Sequence, residues 1–183
     1  MTSLSTAGRA VPLPPLTLVL GGARAGKSAH AESLIAPSAG APGLYLATAT
    51  PGDAEMEERI ALHRARRGAG WTTLEEPLEL VSALQAHASA ARPILVDCLT
   101  LWLSNLMHAG RDVDAATGGL IDALPGLAGP VVLVSNEVGL GIVPDNALAR
   151  RFRDIAGRLN QAVAAASQRV VLVTAGLPLV LKG

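Results

Sequence analysis

Gly21, Gly26, Lys27 and Ser28 fall at the spacing G-x-x-x-x-G-K-[ST], the pattern of a loop that wraps a phosphate in backbone amides. The glycines let successive N–H groups turn into one concavity, through dihedrals closed to other residues. In such a loop Lys27 reaches the β- and γ-phosphates of a nucleotide and Ser28 ligates Mg²⁺. A helix starting near Lys27 adds the positive end of its dipole. Lys27 and Lys182 are the chain's only lysines, against an arginine-dominated basic set.

Two further residues have types suited to phosphate chemistry. Asp97 closes an apolar run, where nucleotide enzymes with such a loop hold a second carboxylate for Mg²⁺. It stands equally well as the cap of a helix starting at Leu99. His63 lies in the run ERIALHRARR, with Arg59 four residues before it and Arg66 and Arg67 three and four after. On a helix these share a face. Three guanidinium groups around one imidazole favour its uncharged, nucleophilic form and attract a phosphate. The same pattern also describes a solvated basic helix face with an incidental histidine. His30, His87 and His108 lack such surroundings and read as structural or surface residues.

The elements that must hold these residues alternate. Leu16 to Leu20 is a buried-strand pattern ahead of the loop, and a helix is expected from Lys27 to Ala36. Pro37 to Gly43 is a loop, and Leu44 to Thr48 a second strand. Thr50, Pro51 and Asp53 form a capping box for a helix to about Arg67, ended by Gly68 and Gly70. Helical spacing covers Pro77 to Ala91, and Ile94 to Asp97 is a third strand. Helices are expected at Leu99 to Met107 and Asp114 to Leu124, and a fourth strand at Val131 to Val134. A loop at Gly139 to Pro144 precedes a long helix from Asp145 to about Ser167. Val170 to Thr174 is a fifth strand, and Leu179 to Leu181 a short last one. Near-continuous apolar strands alternating with helices imply an α/β fold with a mostly parallel sheet flanked by helices. Ligands in such sheets sit beyond the carboxyl ends of the strands, so the loop, Thr48, Asp97 and Glu137 should meet on one edge. Asp154 to Gly157 matches the D-x-x-G of GTPase switches but falls inside the long helix, and no guanine-recognition N-K-x-D box occurs.

At 183 residues a single domain is expected, with 16–183 forming the nucleotide-binding unit and 1–15 a disordered extension. Half of the residues are hydrophobic and only 2% aromatic, so the core is aliphatic. Zero net charge and few aromatics to stack on bases argue against a nucleic-acid binder. Cys98 is alone, which fits a reducing, cytoplasmic setting. Pro12, Pro14 and Pro15 interrupt the one N-terminal run that might pass for a signal peptide. No apolar run is long enough for a membrane span.

Several blocks together, GGARAGKS, YLATAT, ERIALHRARR, WTTLEEP, VDCLTLWLSNL and SNEVGLGIVPDNALARRFRDIAGRLNQ, resemble the bifunctional adenosylcobinamide kinase/adenosylcobinamide-phosphate guanylyltransferase family of cobalamin synthesis. The resemblance runs from Leu16 to Lys182. It implies a RecA-like P-loop fold and a homotrimer. It also implies phosphorylation of adenosylcobinamide with ATP or GTP, followed by transfer of GMP from GTP to adenosylcobinamide phosphate. On this resemblance His63 becomes the guanylylated residue. The nucleotide contacts fall on Gly21, Gly22, Ala23, Arg24, Ala25, Gly26, Lys27 and Ser28, on Ala47, Thr48 and Ala49, on Arg64, Ala65, Arg66 and Arg67, and on Glu75 and Asp97. Ala25 stands where the family usually has serine, which leaves the backbone cradle unaltered, and Gly68 where it usually has proline. Two other functions remain open on the residues themselves: a plain small-molecule kinase with no covalent step, and a non-catalytic nucleotide sensor.

Overall fold

The computed structural model describes residues 13–35, 43–50, 61 and 70–183. The expected helix from Thr50 to Arg67, the loop at 37–43 except its last residue, and most of the N-terminal extension therefore lie outside the described residues. So do His63 and Arg64 through Arg67.

Seven strands form one sheet in the order β3-β2-β4-β5-β1-β6-β7. They are β1 (Leu16–Gly21), β2 (Gly43–Ala47), β3 (Trp71–Glu75), β4 (Ile94–Asp97), β5 (Val131–Asn136), β6 (Arg169–Thr174) and β7 (Leu177–Lys182). All neighbouring pairs are parallel except β6 and β7. The described helices are α1 (Lys27–Ile35), α2 (Leu80–His87), α3 (Leu99–His108), α4 (Val113–Ala123) and α5 (Ala147–Ala166).

Side chains alternate across the sheet and build two cores. Leu16, Leu18, Leu44, Leu46, Ile94, Val96, Val131 and Leu133 face α2 to α5. Val19, Tyr45, Leu95, Val132, Val134, Val171 and Val173 face α1, which inserts Ala31 and Ile35. Both faces of the central strands are thereby covered, as the apolar runs predict.

The sequence and the structure differ at the margins. β3 was not expected: Thr72, Thr73 and Glu75 are exposed on this edge strand, and only Trp71 and Leu74 are partly buried. The helix expected over Pro77 to Ala91 is α2 alone. The Glu76 carboxylate accepts the Leu78 and Glu79 N–H groups at 3.0 and 2.8 Å, which holds the preceding turn open. At the other end Ala88 is extended and Ser89 bridges Arg92. β7 is longer than expected, because a two-residue turn at Ala175-Gly176, both with positive φ, supports a regular hairpin with β6. The long helix begins two residues later than expected, where the Asn146 carboxamide oxygen accepts Ala149 N–H at 2.7 Å. Pro15 already belongs to the sheet margin, since its carbonyl accepts Val131 N–H at 2.9 Å.

Candidate active site at the carboxyl edge of the sheet

The β1–α1 loop holds its shape through backbone conformations and close approaches that only certain residues permit. Gly21 has φ 154°, and a Cβ there would lie 2.3 Å from the Val173 carbonyl oxygen of β6. Gly26 has φ 99° and faces the Cα of Gly176 across the hairpin turn, 3.3 Å from where a Cβ would stand. The turn is tied to the loop directly, Gly176 N–H donating to the Ala25 carbonyl at 2.9 Å. Arg24 supplies the remaining left-handed residue, with φ 55°. Gly22, Ala23 and Arg24 are exposed at the rim, and Ala25, Gly26 and Ser28 are partly covered.

Lys27 is buried, with 7% of its surface exposed. Its Nζ donates to the Gly22 carbonyl at 2.6 Å, so the ammonium lies back over the loop that the sequence pattern assigns to phosphate. Asp97 ends β4 two strands away, and its Oδ2 accepts the Tyr45 hydroxyl at 2.6 Å. The helix that follows has Cys98, not Asp97, at its cap position, and the Cys98 side chain makes no capping bond. This weakens the capping role for Asp97 and leaves its carboxylate at the strand end. Lys27 and Asp97 are close enough to act on one thiol. Burial raises the Cys98 pKa to about 11, Asp97 pushes in the same direction, and Lys27 opposes it.

A hydroxyl on Ser28 and a carboxylate on Asp97 are hard oxygen donors of the kind Mg²⁺ takes, and Mg²⁺ usually draws its other ligands from water and substrate phosphates. The described residues fit that sparse arrangement, since no cluster of three or more His, Cys, Asp or Glu side chains occurs among them.

Between the loop and Asp97 runs a chain of polar contacts that no sequence pattern announced. Thr48 is fully buried. Its hydroxyl donates to the Cys98 carbonyl and accepts the Cys98 N–H, both at 2.8 Å. The Thr48 side chain is thus spent inside the protein, and what it offers a nucleotide is backbone. The Cys98 sulfur lies 3.2 Å from the Thr100 hydroxyl, which accepts from Asn136 Nδ2 at 2.6 Å. The Asn136 carbonyl accepts from Asn160 Nδ2 at 3.1 Å, and Asn160 Oδ1 accepts the Ser135 hydroxyl at 2.6 Å. These contacts lock β2, β4, β5, α3 and α5 together just behind the edge. Ala47 and Glu75 end β2 and β3 in register. Glu137 also reaches the edge, its N–H donating to the Gly21 carbonyl at 3.0 Å, but its carboxylate folds back onto Gly139 N–H. A shallow groove of about 310 Å³ between α4 and α5, lined by Thr117, Ile121, Arg158 and Leu159, includes none of these residues.

A mostly parallel sheet with a glycine-built loop on its first, central strand and an acidic strand end beside it defines a P-loop nucleotide-binding protein of the RecA-like kind. Structural neighbours agree on the fold. The flagellar accessory protein FlaH of Methanocaldococcus jannaschii superposes with TM-score 0.52 at 11% identity, covering 94% of this chain and 80% of that one. A type III secretion ATPase of pathogenic bacteria gives 0.52 at 12% identity, over 88% of this chain and 51% of its own.

The family is narrower than the fold. Residues 17–181 match the model of the cobinamide kinase/cobinamide phosphate guanyltransferase family, and the chain belongs to it. It is 53% identical to the bifunctional adenosylcobalamin biosynthesis protein CobP of Pseudomonas aeruginosa over 91% of this chain and 96% of that one. The corresponding CobU of Escherichia coli is 42% identical over 91% of this chain and 99% of its own. The family is one of transferases, so the sensor and the plain kinase lose ground to a two-reaction enzyme.

Proposed function

We propose that this chain phosphorylates the aminopropanol hydroxyl of adenosylcobinamide with ATP or GTP. It then moves GMP from GTP onto that phosphate through a covalent intermediate on His63. Family membership over residues 17–181 supports the pair of reactions, and the buried Lys27 folded over the loop is the observation that carries the nucleotide site.

In the first reaction the loop amides from Gly21 to Ser28 and the Lys27 ammonium hold the triphosphate. Mg²⁺, when bound by Ser28 and Asp97, neutralises charge on the β- and γ-phosphates. The corrinoid hydroxyl oxygen bonds to the γ-phosphorus as the bond from that phosphorus to the nucleoside diphosphate breaks. In the second, a ring nitrogen of His63 bonds to the α-phosphorus of GTP and pyrophosphate leaves. A phosphate oxygen of adenosylcobinamide phosphate then displaces the histidine, giving adenosylcobinamide-GDP, so that one transfer becomes two easier ones. Arg64 through Arg67 steady the nucleotide phosphates beside His63, while Ala47, Thr48, Ala49 and Glu75 contact it from the strand ends. The working protein is a cytoplasmic homotrimer.

Incubation with GTP labelled in the α-phosphate should leave an acid-labile label on the wild-type protein and none on His63→Ala. Unlabelled wild type that still phosphorylates the corrinoid would establish the plain kinase. Loss of both activities would leave the nucleotide sensor.

A further inference from the structure

Asn105 has no role in the scheme above, yet one of its atoms holds two strand exits at once. It lies on α3, three residues beyond Trp102, so the two side chains share a helix face. Asn105 Nδ2 donates to the Thr48 carbonyl, just past β2, at 2.7 Å, and to the Pro77 carbonyl, just past β3, at 3.1 Å. Trp102 Nε1 donates to the neighbouring Leu78 carbonyl at 2.9 Å.

The chain between those two carbonyls contains His63 and Glu75. Its ends are also joined to each other and to β4. Glu76 N–H donates to the Ala47 carbonyl at 2.9 Å, and Thr48 N–H donates to the Asp97 carbonyl at 3.1 Å. The same helix therefore starts beside Asp97 and, two turns on, grips both ends of the stretch that carries the second reaction. Only a primary amide does this with one short side chain, because its nitrogen has two hydrogens, one for each carbonyl. An aspartate of the same shape would set a carboxylate against two carbonyl oxygens. A leucine would leave both carbonyls without this donor.

We propose that Asn105 is a positioning residue for guanylyl transfer: it fixes the exits of β2 and β3 relative to Asp97 and so sets where the nucleophile meets the α-phosphate. The proposal rests on the assignment of His63 as that nucleophile. The phosphate loop is built separately, from β1, α1 and the β6–β7 turn, so Asn105 should govern the rate of the covalent step and leave the grip on the triphosphate intact.

The test is single-turnover labelling of the full chain by α-labelled GTP at saturation, alongside guanine-nucleotide titration and thermal unfolding. Asn105→Asp, which keeps the shape and loses the donors, should slow labelling about tenfold or more while nucleotide affinity is unchanged. Asn105→Gln, which keeps both hydrogens, should recover part of the rate. Labelling of Asn105→Asp within about twofold of wild type, or a loss that only follows lowered nucleotide affinity, would overturn the proposal. Should Asn105→Asp not fold, Asn105→Ser replaces it, and a rate no lower than that of Asn105→Gln overturns the proposal equally. Wild-type protein that takes no label would instead sink the histidine assignment, and this proposal with it.

Discussion

Gly21 shows how little freedom a single position in the phosphate loop has. Its φ of 154° is one that side-chain-bearing residues rarely adopt, and the Val173 carbonyl occupies the space of a Cβ at 2.3 Å. That oxygen is backbone in a fully buried strand region, so it cannot swing aside. Gly21→Ala should therefore push β1 and β6 apart or twist the loop, costing about 2 kcal/mol of stability. Triphosphate affinity should fall by at least about tenfold. Calorimetric titration with GTP beside a thermal melt checks both; wild-type affinity in the variant would mean the loop does not bind phosphate through this geometry. The motif itself was plain in the sequence, since glycine spacing, lysine and serine are local signals. The partners that make it rigid were not: Val173 and Gly176 lie some 150 residues away along the chain, and no local pattern names them. The network from Thr48 through Cys98, Thr100 and Asn136 to Asn160 was hidden for the same reason, although each member is a polar residue inside an apolar block.

At the scale of elements, α1 joins the loop to the second core and carries a histidine that the sequence left as structural or surface. Lys27, Ala31 and Ile35 are its buried face. His30 is partly buried, and its Nε2 has no hydrogen-bond partner, as is also true of Arg169 Nε at the start of β6. Burial lowers the His30 pKa below its usual 6.5, and the Arg169 guanidinium lowers it further. The unfolded chain therefore takes up this proton first. The stability that His30 contributes is complete above its unfolded pKa of 6.5 and is lost as pH falls through that value and then through the lower folded one. Urea midpoints at pH 7.5 and 5.5 should drop less for His30→Gln than for wild type; equal drops would show that α1 carries no such penalty. Helices and central strands were legible because their apolar spacing is set by burial on known faces. β3 and the full length of β7 escaped because edge strands have no second neighbour to bury against, and so lose the periodic signal.

For the whole molecule, the sheet ends pose a question that the isolated chain does not answer. All six residues of β7 are exposed, among them Leu177, Leu179, Val180 and Leu181, while Leu140 and Ile142 after β5 stand 89% and 98% exposed. Among the described residues no helix is long and apolar enough to cross a membrane, so these residues are not explained by a helical span. An apolar edge strand left in water invites pairing with another chain, and a closed homotrimer would convert that liability into a buried contact. Sedimentation equilibrium should then give three times the 18.6 kDa protomer mass, and both Leu179→Glu and Ile142→Glu should lower it. The effect should reach the active site, because β7 begins at the turn whose Gly176 N–H holds the Ala25 carbonyl of the phosphate loop at 2.9 Å. Dissociated variants are expected to bind GTP more weakly than the assembled enzyme. A wild-type mass equal to one protomer would remove the trimer. A full-mass Leu179→Glu variant would place the contact away from β7, and dissociation with unchanged GTP affinity would show that the hairpin supports the loop without help from a neighbour.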